Sequence, residues 1–539
     1  MRTVGSRGTS ATHRRRAFLI LAAALVAALL SARARAEDQV AAGAQGTPPD
    51  PYPVASPLYE DLRVLHVRSG LRVPGLTARP QSGFTLAAAV AADSATPRTL
   101  PAFARSRAEL ADPLVTSGLD TTASPHPKLL RVGDAESRLT ISAFAGFRAE
   151  ACPDRGFVLT DSTRFGLKAS WFVWPGFHLY EELYVADVPG GHEFADPLIA
   201  DSDIIIFQDR VFAALHTRIA DLTFGRDRLA WGPGVTGSLL LAATARPFTQ
   251  LRVERFFFDR RVHAVIVNGA LSQAENRFIA YHRLDWQATR RLRIAFAEGA
   301  RYNADFVEPL YLAGIIPYPL VGRLLERDND SRQSDALVRN NVMWDIDASY
   351  LLRDGVEIYG EILIDDLGTA TSETPTRLGY QLGTFVAADV AGYPATLNAE
   401  WTRVWRYVYS VFYDADFTHE GVPLGHPEGP DSRLVHVRGA VEVRPGIEVG
   451  VIGERLDRGE DGLGVYWDPD DPAAAGADAS EFGGTVERQW RLLGSFRFLP
   501  ARPFAATIEL GGAWVTNAVH EPGAERSGLL GRVMLGLER

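Results

Sequence analysis

The chain has 539 residues, with 66 acidic against 56 basic side chains, a net charge of −10 and a hydrophobic content of 46%. That balance argues against a nucleic-acid partner, and the single cysteine, Cys152, excludes an intramolecular disulfide and a cysteine-built metal site. Beyond the N-terminus no apolar run approaches the eighteen or so residues that a spanning helix needs, so a membrane would be crossed only by a closed barrel.

In chain order, Arg14-Arg15-Arg16, an apolar run from Ala17 to Leu30 and Ala34-Arg35-Ala36 before Glu37 predict a cleaved secretory signal over residues 1–36. The stretch Arg15-Arg16-Ala17-Phe18-Leu19 also suits twin-arginine export, but that route carries folded cargo and a barrel stays unfolded until it meets its membrane. Cleavage removes seven arginines and no acid, leaving 49 basic against 66 acidic side chains, a net charge of −17. Residues 37–56, rich in Ala, Gly and Pro without periodicity, form a linker. Residues 57–130 are expected to be a small helical periplasmic segment. Ser56 is placed to cap a helix carrying Leu58, Leu62 and Leu65, a second helix runs from Ser82 to Ala92, and a third covers Ala102 to Ala111.

From 137 to 539 the period changes to two. Val435, Val437, Val441 and Val443 alternate with His436, Arg438 and Glu442; the chain turns at Arg444-Pro445-Gly446 and alternates again through Ile447, Val449 and Val451. Eight tight turns stand near 174–176, 218–221, 259–261, 287–291, 353–355, 392–394, 444–446 and 500–503. Nine longer connections, near 149–160, 187–203, 230–248, 269–276, 303–340, 366–377, 413–433, 457–486 and 517–526, alternate with them. Outer-membrane barrels sort their connections this way, short in the periplasm and long outside. The expected fold is therefore all-β, an eighteen-stranded antiparallel transmembrane β-barrel in the cell outer membrane, preceded by the helical segment. Trp171, Trp174, Trp401, Trp405, Tyr407, Tyr409 and Trp514 are expected to form aromatic girdles at the lipid interfaces. The chain ends Leu537-Glu538-Arg539 rather than on an aromatic, although Leu529, Val533, Leu535 and Leu537 still alternate as a closing strand.

The third long connection is the most distinctive. Its parts are Gly225-Arg226-Asp227-Arg228, Trp231-Gly232-Pro233-Gly234, Gly237-Ser238-Leu239-Leu240 and Ala245-Arg246-Pro247. Further segments are Glu308-Pro309-Leu310-Tyr311-Leu312, the run from Glu357 to Asp366, and Pro423-Leu424-Gly425-His426-Pro427-Glu428-Gly429-Pro430. In this order they resemble the capsule-assembly Wzi family of outer-membrane proteins, across about residues 57 to 435. The resemblance implies an eighteen-stranded barrel after a small helical periplasmic part, and a lectin-like role in holding capsular or other exopolysaccharide at the cell surface.

Sugars are bound by aromatic faces and planar hydrogen-bonding groups, and acidic sugars add a demand for arginine. Arg226, Asp227, Arg228, Trp231 and Arg246 offer that chemistry on a loop expected to face outward. The same residues also suit an Arg/Asp ladder bracing the lumen, with Gly232-Pro233-Gly234 fixing a turn. The apolar middle of the connection at 303–340 is expected to fold into the barrel mouth and narrow it. Glu460, Asp461, Asp468, Asp470 and Asp471 could hold Ca²⁺, although a solvated surface is the simpler reading. His178, His216, His282 and His436 lack a recognisable serine partner, and no hydrolase, P-loop or dinucleotide motif is present, so no enzyme, cofactor or metal is expected. The partners expected are polysaccharide and outer-membrane lipids, with a monomer as default. The alternative to a surface anchor is a transport pore for an oligosaccharide or small solute.

Overall fold

A computed structural model describes residues 53–92, 100–110, 129–133, 137–151, 159–174, 176–187, 202–217, 219–272, 275–314, 316–328, 339–368, 375–411, 415–468, 478–499 and 504–538. The expected signal, most of the linker, Cys152, Asp470 and Asp471 lie outside them.

Eighteen strands close on themselves as one antiparallel barrel. They are β1 (Arg138–Ala151), β2 (Leu159–Trp174), β3 (Phe177–Asp187), β4 (Ile204–His216), β5 (Asp221–Asp227) and β6 (Phe248–Phe257). Then come β7 (Val262–Ser272), β8 (Arg277–Gln287), β9 (Leu292–Asn303), β10 (Arg339–Arg353), β11 (Val356–Asp366) and β12 (Arg377–Val390). The last are β13 (Tyr393–Val404), β14 (Ser432–Arg444), β15 (Ile447–Arg458), β16 (Glu487–Phe498), β17 (Phe504–Thr516) and β18 (Glu525–Glu538). Closure is between β18 and β1, where Gly531 stands opposite Ala151 and Glu538 opposite Phe144. Just past that seam Leu130–Gly133 pairs with Arg138–Ile141 and prolongs the edge of the sheet.

The two-residue period decides which side chains meet lipid. Leu284, Phe296 and Ile346 stand abreast on β8, β9 and β10, each 44–48% exposed on the outer face. Their immediate chain neighbours, Arg283, Asp285, Ala297 and Asp345, are buried toward the lumen. Closure joins each strand to a neighbour on both sides, the condition for crossing hydrocarbon. Trp171 and Trp286 are exposed near the short-turn end, and Trp401, Trp490 and Trp514 near the loop end, as two girdles require. Tyr407 and Tyr409 depart from that expectation: both are buried in the connection after β13.

Before the barrel come α1 (Leu58–Ser69), α2 (Gly83–Ala92) and α3 (Pro101–Leu110). Leu58, Leu62 and Leu65 recur along one face of α1 and pack with Leu86, Val90 and Phe103. Gly70 ends α1 in the left-handed conformation (φ 70°), its N–H donating to the His66 carbonyl. The segment sits at the short-turn end of the barrel, where the Gly355 N–H donates to the Val67 carbonyl and Arg68 pairs with Asp389.

In its described residues, 304–314 and 316–328, the connection between β9 and β10 lies outside the barrel instead of entering the mouth as expected. It forms α4 (Pro309–Leu312) and α5 (Tyr318–Asp328), and Tyr311, Tyr318 and Val321 pack on Phe278, Ala280, Ala300 and Tyr302. Those strand residues share the outward parity of Leu284 and Phe296, so the helices lie against the outside of the wall. The wall accommodates them with small and polar outward residues. Glu298 accepts the Tyr318 N–H (2.9 Å) and the Trp344 indole N–H (2.5 Å), and pairs with His282 at 3.0 Å.

Candidate functional site

The third long connection turns inward and fills the lumen. At its start Asp227 is gripped by the Arg210 guanidinium through bonds of 2.8 and 3.2 Å, with both groups buried. Ala230 and Trp231 then pair with Arg79 and Ala78 of the N-terminal segment, and the Gly232 N–H donates to the Thr77 carbonyl. The chain doubles back so that the Trp231 N–H donates to the Leu241 carbonyl at 2.8 Å. Trp231 is 1% exposed, edge-on to Tyr281 with centroids 5.5 Å apart and the Arg283 guanidinium 5.9 Å from its ring. Leu239, Leu240 and Leu241 join it in one apolar core with the inward residues Val265, Val267, Ile279, Met343 and Leu363. At Gly232 (φ 132°) an added Cβ would lie 2.6 Å from a Glu361 carboxylate oxygen, which explains glycine there.

The run from Glu357 to Asp366 is β11, and its inward side chains bind this plug rung by rung. Glu357 accepts from Arg63 of α1 at 2.8 Å, and Arg63 also donates to the Pro233 carbonyl at 3.0 Å. Tyr359 donates at 2.7 Å to Glu400, whose carboxylate accepts the Val235 and Thr236 N–H groups. Glu361 accepts the Leu239 N–H at 2.5 Å, and Asp365 accepts the Tyr409 N–H at 2.8 Å. Ile358 and Ile362 between them face lipid. The connection after β13 adds a second layer. Tyr409, Phe417 and Leu424 enter the same core, the Tyr409 hydroxyl donates to the Leu239 carbonyl, and His426 is buried beside Gly237. The motifs at 225–247, 357–366 and 423–430 are thus neighbours in space, whereas the one at 308–312 lies on the outside of the wall.

Arg226 and Arg246, at the loop end, approach Glu420 at 3.7 and 4.0 Å, and both are about one-third exposed. Arg228 donates to the Ala245 carbonyl at 2.8 Å and pairs with Asp209 at 3.3 Å. His419, beside Glu420, is pushed below the usual histidine range, chiefly by burial and further by Arg226 and Arg246, against the pull of Glu420. The five residues singled out in the sequence therefore divide. Arg226 and Arg246 converge on Glu420, Arg228 lies along the same connection, Asp227 is committed to Arg210, and Trp231 is shut inside the lumen. Sequence reasoning missed Glu420 and His419, which carry no motif of their own, and missed that the plug rests on Arg63.

Among the described residues no group of three or more His, Cys, Asp and Glu is arranged to hold a metal. In the acidic connection, Asp461 pairs with Arg406 and Glu460 accepts the Thr485 N–H.

At the opposite end a cavity of about 750 Å³ remains between α1, α3 and the wall, lined in part by Glu60, Asp61, Arg105, Glu442, Glu448 and Arg497. Burial pushes the Glu60 carboxyl up, but Arg497 and Arg438 outweigh it and hold the group at about 2.

The closed wall, lipid-facing exterior and two girdles define an outer-membrane β-barrel, with a lumen occupied by its own connections. Among solved structures the chain is similar to Wzi of Escherichia coli, described as a carbohydrate-binding β-barrel involved in group 1 capsule assembly. The match has 13% identity over 92% of this chain and 99% of that one, with a TM-score of 0.58. At that identity the likeness is one of fold. OprD of Pseudomonas aeruginosa aligns over 78% of this chain and 99% of its own at 11% identity and a TM-score of 0.42. No protein-family model and no curated protein matches the sequence.

Proposed function

We propose that this protein is a non-conducting surface anchor that binds acidic polysaccharide at its loop end, for attachment or assembly of a capsule or other exopolysaccharide, with its helical segment facing the periplasm. The filled lumen carries the reading: the third connection and the one after β13 share a buried core with the inward wall, where a transport pore needs a polar channel. The carbohydrate-binding character of the structurally similar Wzi supports the substrate class. Arg226 and Arg246 supply two guanidiniums against one carboxylate, which leaves an excess of positive charge suited to uronate or pyruvylated sugars. Arg228 borders them.

The test is binding of acidic polysaccharides to the refolded protein and to the Arg226→Ala/Arg246→Ala double variant. A charge-assisted bond is worth about 1.5–3 kcal/mol, so affinity should fall at least tenfold. Undiminished binding, or large steady conductance of the wild type in planar bilayers, would overturn the proposal.

A further inference from the structure

On the lipid-facing side of β13 to β16, the outward positions nearest the loops form one continuous row. Arg403 stands directly opposite Arg433, Arg433 opposite Asp457, and Asp457 opposite Arg488. One outward step nearer the membrane centre, Arg455 lies between Val435 and Trp490, and Trp490 faces Trp514. Trp401, Trp490 and Trp514 are exposed and mark the lipid interface, so the arginines stand at headgroup height. Like charges directly opposite each other destabilise a sheet, which makes the Arg403–Arg433 pair poor design for folding alone.

The charges do not cancel. Asp457 is fully buried and accepts from Arg433 and, at 3.1 Å, from Arg455. Arg403 donates to the carbonyls of Val404, Ser432 and Ser480, with its guanidinium 3.9 Å from the centre of the Phe482 ring. Its nearest carboxylate, Asp431, is 3.8 Å away. Arg433 is 37% exposed, and Arg488 is exposed with no carboxylate within 4.0 Å among the described residues. Glu525 of β18 stands opposite Thr516 in the same row, beyond β17. Four guanidiniums thus face two carboxylates, Asp457 and Asp431, at the border of a low-dielectric phase, where uncompensated charge is costly. Arg433 and Arg488 are two strands apart, about 10 Å, a span that one phosphorylated sugar headgroup covers.

We propose that this face binds the phosphate groups of a phosphorylated glycolipid of the outer leaflet. Arg433 and Arg488 donate to the phosphates, Arg455 and Arg403 supply supporting charge, and the flanking tryptophans hold the acyl and sugar boundary. The site is independent of the polysaccharide reading, which concerns the loops above it.

The experiment uses the full chain folded in detergent, with lipid A, its dephosphorylated form and inorganic phosphate as probes, and binding read by native mass spectrometry. Wild-type protein should prefer lipid A over the dephosphorylated form by at least about tenfold. R433Q/R488Q should lose that preference while keeping heat-modifiable mobility, and R260Q, at the short-turn end, should keep both. Retained preference in R433Q/R488Q overturns the proposal. So does competition by inorganic phosphate at concentrations equal to those of lipid A, which would mark a site for soluble anions.

Discussion

Replacing Trp231 by alanine tests whether the third connection is a plug. The ring is 1% exposed in the lumen core. A buried tryptophan removes about 150–250 Å² from water, worth about 4–6 kcal/mol at 25 cal/mol per Å². Measured truncations of this kind cost about 3–5 kcal/mol once the surroundings relax. The backbone bonds from Trp231 to Leu241 and from Gly232 to Thr77 survive the change, and the strand pairings of the wall are left intact. The loss should therefore fall on local opening of the plug rather than on the barrel. Its open population should rise about 10²- to 10⁴-fold. Hydrogen exchange of amides 229–242 should accelerate by that factor while wall strands stay protected, and single-channel recordings should show brief openings absent from the wild type. Unchanged exchange in that segment would refute the reasoning.

Asp227→Ala takes the bidentate carboxylate from the buried Arg210 and should destabilise the protein by about 3–5 kcal/mol in urea unfolding, whereas a cost below about 1 kcal/mol would contradict a bracing role. Leu382→Arg, at an exposed outward position in the middle of β12, should cost about 2–4 kcal/mol when the barrel folds into bilayers; a neutral result would mean that this face is not in hydrocarbon. Glu60 is held at about 2 from an ordinary value of 4.5, so its contribution to docking the helical segment is complete above pH 4.5 and disappears as pH falls toward 2. Protease protection of residues 58–110 should follow that window, and loss already between pH 7 and 5 would count against the Arg438 and Arg497 pairs as its cause.

The wall was legible because a strand half in lipid must alternate. Leu434 to Leu456 shows the pattern, and the Pro/Gly turns at 353–355 and 444–446 fall where β10 meets β11 and β14 meets β15. The three helices were legible from their leucine spacing and alanine content. The route of the connections was not, because apolar loop text says that something covers it without saying what. Leu239-Leu240-Leu241 is covered by the inward wall, and Tyr311 and Tyr318 by the outward wall. A clue to the latter was available: outward positions of β8 and β9 change from Leu284 and Phe296 to His282 and Glu298, residues that lipid would not accept bare. Trp231 looked like a sugar platform because stacking on a sugar and filling a core ask for the same side chain. Arg226 and Arg246 are brought near each other by the β5–β6 ladder, where Arg226 stands opposite Thr249 and Asp227 opposite Phe248, but Glu420 reaches them from the connection after β13, a long-range contact that no local pattern encodes.

The union of residues 77–79 with 230–232 inside the wall has a consequence for biogenesis. The leading segment enters from the short-turn end and the turn after β5 descends from the loop end, so the two ends of the lumen are joined by backbone bonds across its interior. Deleting the leading segment would leave the wall its full set of strand pairings and strip the turn after β5 of its partner, so closure of the cylinder and completion of its contents can be followed separately.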